Sequence, residues 1–581
     1  MPAEEKQQNL SSLEKVETRQ TDGDGDGDGD ASPKGEHEPE EQNVENKITF
    51  SFFMTMLGLA MTFVVAEVTP LFLVTSFTVI AFSLDAMDNL VWILVAPYIS
   101  TGAIAPFVGS LSDLMGRKGI ICFSLVLAVI SFILQGAAPN FACYLCGQVI
   151  AGAAIGIQIL TVVAAASELV PVAKRGATIG YIVIGFLPFA PASLYGQLIA
   201  EHDWRYIYLV LGIWSAISLV VLLIYYNPPP RPTAIGMSKM ELLKRLDWGG
   251  SLLSILGVVL FLIGVNWGGQ FHPWRAAKVI CMLVFGVVTL GIFGCYERWV
   301  VKYPMFPGRL VQSKRHFLSV SALCLTSGIN YVPLTVFWTI QTYSVYGASF
   351  EDAGIWLLPL GFCIAGGAII SAILITVFKN HIQWVLLFFC CLQVVGMGCM
   401  SLFDPADINT VWAPMIFGLI GVGAVLLPSQ VVFSVISPDD LIGTSVALSL
   451  VIRMIGQVIG KSMFYNIFKS RVRKLANTDP YLIAFPALSV GFGDSGDPAE
   501  RIEELVTTMT AGPLSHYLEL FPEINTPEEL ATIVQAGQNL YAKCFPLLYY
   551  VSIPFGVLAI LSCFGLWGLD KYMTKRVAVH L

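Results

Sequence analysis

The chain has 581 residues, 55% of them hydrophobic and only 13% charged, roughly half the charged share of about 25% in soluble chains. The net charge of −8 belongs to the N-terminal tail: residues 1–47 hold 14 acidic and 5 basic side chains, the remainder 27 acidic and 28 basic. This composition argues against a soluble enzyme, and the lack of a basic domain argues against nucleic-acid binding.

Residues 1–47 are read as a disordered acidic tail. Asp24, Asp26, Asp28 and Gly29 imitate the opening of a calcium loop, but Gly35 stands where that loop needs a bidentate Glu, so no metal site is expected. No apolar stretch precedes Ile48, so no cleavable leader is expected. From Phe50 onward, apolar runs of about 20 residues recur, the length that crosses a bilayer. They lie near 50–74, 90–110, 119–137, 141–161, 175–198, 206–226, 249–267, 277–296, 317–340, 353–376, 383–402, 411–435, 441–467 and 545–569, which predicts fourteen spans. The stretch 48–84, interrupted by Glu67 and Pro70, is read as one span plus a short helix at the membrane surface.

Lys and Arg concentrate in alternate short loops, as the positive-inside rule demands. Arg117 and Lys118, Lys174 and Arg175, and Lys379 fall on one side; Asp85 and Asp88, Glu351 and Asp352, and Asp404 and Asp407 fall on the other. The bias fails only after span 13, where Lys469, Arg471, Arg473 and Lys474 open a segment that runs to about residue 544. Long loops translocate largely regardless of charge, so 469–544 is assigned to the outer face. Within it, Asp497-Pro498 and Thr526-Pro527-Glu528-Glu529 are helix starts, each with a capping residue, Pro and a Glu three residues after the cap. The predicted domains are the tail 1–47, a six-helix half 48–226, linkers with two inserted spans 227–316, a second six-helix half 317–569, and a short tail 570–581.

Ionisable groups inside a span are costly and mark function. Glu67 lies in span 1. Arg453, Gln457 and Lys461 follow at i+4 in span 13, with Arg453 deepest and Lys461 expected to snorkel. Span 9 carries Ser327, Asn330, Tyr331, Trp338 and Gln341 at helical spacing, a polar and aromatic face suited to lining a cavity for a bulky amphipathic molecule. Gly102 and Gly109 in span 2, and Gly456 and Gly460 in span 13, are small residues that permit close helix approach. No phosphate loop, zinc-protease motif or nucleophile elbow occurs, so no enzyme is expected.

Between spans 2 and 3 the chain reads Gly109-Ser110-Leu111-Ser112-Asp113-Leu114-Met115-Gly116-Arg117-Lys118, which resembles the signature loop of the major facilitator superfamily. Glu168 through Arg175-Gly176 after span 4 resembles that superfamily's next cytoplasmic loop. Trp204-Arg205, Asp247-Trp248 and Gly354 to Pro359 extend the resemblance to drug-efflux members with fourteen spans, most of all the fungal trichothecene efflux pump and siderophore transporter family. Two motifs of proton antiporters are degenerate: Gln148 stands where span 4 usually has Arg, and span 5 has Gly185, Pro188 and Pro191 without the usual Gly-Pro and Gly-Gly pattern.

The resemblance implies an all-α membrane protein of the major facilitator fold, with two rocking six-helix halves, and proton-driven export of a toxic or secondary metabolite. Siderophore-iron uptake is the alternative reading, and a non-transporting receptor a remote one. The implied partners are a small amphipathic metabolite, protons and the lipid bilayer, with no cofactor. A monomer in the plasma membrane is expected, a vacuolar or vesicle membrane being the other location. Asp113, with Arg117, is expected to help hold the halves together on the cytoplasmic side, and spans 2 and 13 are expected to meet across the halves.

Overall fold

The computed structural model describes residues 50–169, 182, 185–228, 247–269, 271–301, 304–306, 308–311, 313–378, 381–426, 428–437, 441–492, 498–510 and 512–569. Thirteen helices among these are long and apolar enough to cross a bilayer. Each coincides with one of the fourteen predicted spans. The remaining predicted span, span 5, has no such helix among the described residues, which show the 11-residue helix Ala192–His202 there; much of 175–191 lies outside the described residues. The acidic tail and its calcium-like loop also lie outside them.

The N-terminal half comprises span 1 (Phe50–Ser83), span 2 (Leu90–Met115), span 3 (Arg117–Gly136), span 4 (Phe141–Glu168), span 5 and span 6 (Arg205–Tyr225). Span 1 corrects the predicted break. It is one helix of 34 residues, about 50 Å long at 1.5 Å per residue, and no separate surface helix follows. Its far end is enclosed by protein, with Phe77, Ile80 and Ala81 wholly buried. Two hydroxyls bond back along the helix, Thr69 to the Val65 carbonyl at 2.7 Å and Ser76 to that of Phe72 at 2.6 Å, and the helix runs on through Pro70.

Spans 7 (Trp248–Trp267) and 8 (Ala277–Trp299) pack on each other. Span 7 also touches span 13, where the Ser462 hydroxyl lies 2.9 Å from Asn266 Oδ1. Span 8 buries only Val279, Gly286 and Glu297, so its apolar surface, including Phe285 and Val287, is left to lipid.

The C-terminal half runs from span 9 (Lys314–Ser344) through span 10 (Phe350–Trp356 and Leu358–Val377), span 11 (Ile382–Met400), span 12 (Asn409–Leu426 and Pro428–Val435) and span 13 (Ile442–Thr478) to span 14 (Phe545–Phe564). Span 13 continues as helix past the predicted start of the outer loop at 469. Its basic residues therefore lie on a helical stalk, Lys469 3.8 Å from Asp88 and Arg473 3.3 Å from Glu503. Asp88 places this stalk on the same face as the loop between spans 1 and 2. Short helices Ala484–Ser489, Pro498–Thr508, Leu514–Leu520 and Pro527–Ala542 follow. The last begins with the capping box read from Thr526 and Glu529.

The halves touch along two seams. Spans 2 and 13 form one: a Cβ on Gly102 would lie 3.1 Å from Met454 Cβ, and Gly109 lies beside Gly443. Spans 5 and 10 form the other, where a Cβ on Gly361 would lie 1.9 Å from the Ala190 carbonyl oxygen. Gly361→Ala is therefore expected to destabilise the protein by about 1–3 kcal/mol through forced separation of the backbones, read as a lower unfolding midpoint in detergent. Gly456 and Gly460 serve a contact within one half: their Cβ positions meet Leu325 and Ile329 of span 9.

Candidate functional site

A cavity of about 400 Å³ lies between the halves. Span 1 supplies Phe63 and Glu67, span 2 Tyr98 and Thr101, span 4 Gln148 and Ile155, span 9 Tyr331, span 10 Leu360, and span 13 Arg453, Met454 and Gln457. Its lining is predominantly apolar, with a few polar groups at intervals, which is the usual chemistry of a small-molecule pocket.

The sequence-predicted candidates divide here. Glu67 and Arg453 come from opposite halves, line the same space and feel each other's charge. Arg453 is only 5% exposed, and its Nε and Nη1 have no hydrogen-bond partner among the described residues; Gln457 Oε1 is likewise unpaired. Of the span 9 face, Tyr331 lines the cavity. Trp338 is wholly buried and donates from Nε1 to the Trp356 carbonyl at 3.1 Å. Gln341 Oε1 accepts from the Tyr549 hydroxyl at 2.7 Å. Asn330 packs on span 14, its amide best oriented to donate to the Ser552 carbonyl and accept from the Gly556 N–H. Asn330 is one position, about 100° of α-helix, from Tyr331, and for Trp338 and Gln341 the cause is a π-helical turn at Pro333–Phe337. It inserts extra backbone per turn and rotates everything after it away from the 3.6-residue register.

Gln148, where an Arg is usual, belongs to a neutral network. Its amide nitrogen lies 2.5 Å from the Tyr144 hydroxyl and 3.5 Å from that of Tyr208, and the two hydroxyls are 2.6 Å apart. Lys461, expected to snorkel, is instead 2% exposed. Its Nζ donates to the Leu94 carbonyl of span 2 at 3.1 Å and stands 3.0 Å from the centre of the Tyr98 ring, joining the halves on the outer side of the cavity. Separately, the Tyr343 hydroxyl of span 9 donates to Gln197 Oε1 of span 5, and Gln197 Nε2 donates to the Thr75 carbonyl at 2.6 Å. Both sets of contacts join the two halves.

In the signature loop, Gly116 is the single residue between spans 2 and 3, and its φ of +85° is accessible mainly to glycine. Arg117 donates to the Ser112 hydroxyl. Lys118 donates to the Leu223 carbonyl at 2.9 Å and to Asn227 Oδ1 at 2.7 Å, so it ties the end of span 6 to span 3 within one half, where a cation complements the helix C-terminus. The side chains of Asp113 and Glu168, and all of Arg175, lie outside the described residues.

A model of the fungal trichothecene efflux pump family matches residues 47–581. The trichothecene efflux pump TRI12 of Fusarium sporotrichioides is 26% identical over 82% of this chain and 79% of its own length. The MFS-type efflux pump LUC4 of a Fusarium species is 24% identical over 93% and 91%. Among solved structures, a bacterial homolog of the human lysosomal transporter Spinster, in an inward-facing and unoccupied conformation, has a TM-score of 0.55 at 15% identity, over 88% of this chain and 98% of that one. That likeness shows a shared fold of the major facilitator type.

Proposed function

The chain belongs to the fungal trichothecene efflux pump family of multi-pass membrane transporters, and from that premise we propose that it exports a toxic or secondary metabolite in exchange for protons, most naturally at the plasma membrane. The observation that supports this reading is the presence of Glu67 and Arg453, from opposite halves, in the lining of one mainly apolar cavity. An amphipathic metabolite fills the cavity from the inner side while the outer contacts of Lys461 and Gln197 are closed. Rocking of the halves breaks those contacts and exposes the cavity outward. Glu67 is the proton carrier in this scheme, since ionisable carboxyl groups that face a cavity inside a membrane mark proton relays. Named relatives are efflux pumps, which favours export over iron–siderophore uptake.

The test is transport into inside-out vesicles with an imposed pH gradient, offering a trichothecene-like sesquiterpenoid and, separately, an iron–siderophore. Gradient-dependent accumulation of the sesquiterpenoid is expected. Accumulation that ignores the gradient removes proton coupling, and accumulation of the siderophore alone reverses the proposed substrate.

A further inference from the structure

We propose that Arg453 is the anchor for an acidic group on the exported molecule, so that the preferred substrates are amphipathic anions, a carboxylate on a compact apolar body being the simplest. The inference rests on the transport reading above and deepens it. Among the described cavity-lining residues Arg453 is the one cation, it is 5% exposed, and two of its nitrogens have no protein acceptor among the described residues. A guanidinium presents its donors in a planar fork that fits a carboxylate at two points. Leaving such donors unpaired away from water is expensive, and an incoming carboxylate removes that cost.

The surroundings favour an anion over a neutral polar ligand. The side chains that feel the Arg453 charge from neighbouring elements are Glu67 on span 1, Tyr98 on span 2, and Cys324 and Tyr331 on span 9; on its own helix, Gln457 and Lys461 follow. Of these only Glu67 is ordinarily ionised as an anion at neutral pH, and it stands on the opposite half. A substrate carboxylate on Arg453 takes over the counter-charge that Glu67 supplies to the empty cavity. While it is ionised, Glu67 competes with the acid for Arg453.

The full chain in lipid nanodiscs, titrated with 1-pyrenebutyrate and with its neutral counterpart 1-pyrenebutanol, tests this directly. At neutral pH the acid should bind about tenfold or more tighter than the alcohol, the worth of a charge-assisted hydrogen-bond pair. Arg453→Gln should erase the difference between the two probes, and Arg453→Lys should restore part of it. Glu67→Gln should tighten the acid several-fold more than the alcohol. Equal binding of acid and alcohol by the unaltered protein overturns the proposal, as does a preference that survives Arg453→Gln. If Arg453→Gln does not fold and binds neither probe, Glu67→Gln decides: an unchanged ratio of acid to alcohol affinity overturns it. Vesicle transport separates this inference from the reading beneath it. A neutral metabolite exported while its acid analogue is ignored sinks the anchor alone, whereas acid bound through Arg453 without gradient-driven movement sinks the transport scheme alone.

Discussion

Glu67→Gln is expected to cut gradient-driven export by at least about tenfold, a change of roughly 1.4 kcal/mol or more in the coupled step, with the protein still folded and in the membrane. The amide keeps the shape and hydrogen-bonding capacity of a carboxyl group but neither ionises nor carries a proton. Arg453 then lacks the Glu67 counter-charge throughout the cycle, and no proton is carried at this position. Counterflow, in which labelled substrate exchanges for unlabelled substrate without a gradient, needs only the rocking of the halves. It should therefore fall much less than net export. Measuring both in the same vesicles distinguishes lost coupling from lost folding: equal loss in the two assays would mean that Glu67 is structural, and full net export would remove it from the proton path. Glu67→Asp should retain a pH-dependent rate, because the charge survives on a shorter arm.

The elements were legible in the sequence wherever lipid dictates the answer. A bilayer tolerates only helices with satisfied backbone groups, so apolar runs such as 206–226 and 277–296 coincide with helices Arg205–Tyr225 and Ala277–Trp299. Local chemistry was equally readable at Thr526 and Glu529, whose reciprocal cap forms at the start of Pro527–Ala542, and at Gly116, which makes a one-residue turn. What escaped were properties that depend on a partner distant in the chain. The span 9 face was inferred from unbroken 3.6-residue spacing, and the π-helical turn after Val332 separates Tyr331 from Trp338 and Gln341. Glu67 and Pro70 suggest an interruption of the stretch 48–84, yet the helix passes through both. The role of Lys461 depends on a carbonyl 367 residues away. Its place in the stripe with Arg453 and Gln457 was the available signal, but a lysine with no visible acceptor is ordinarily assigned to the lipid interface.

That lysine supports the second large effect. Lys461→Met should leave the fold at least as stable as the parent and shift the resting protein toward an outward-open form. Methionine nearly matches the length and apolar volume of the lysine stem, and exchanging a buried charge for a well-packed apolar side chain is often neutral or stabilising. The exchange nevertheless removes the hydrogen bond to the Leu94 carbonyl and the cation above the Tyr98 ring, two contacts that join span 13 to span 2 on the outer side of the cavity. A cation–π contact away from water is worth about 2 kcal/mol and a charged hydrogen bond about as much, so their loss is enough to change the balance between two transporter states by more than tenfold. Thr69 lines the cavity and is buried, so Thr69→Cys reports on outward opening. A membrane-impermeant maleimide applied from outside should label it faster in the Lys461→Met background than in the parent. Labelling at the parental rate would show that Lys461 does not hold the outer seam, leaving the Tyr343–Gln197 contact to close that face.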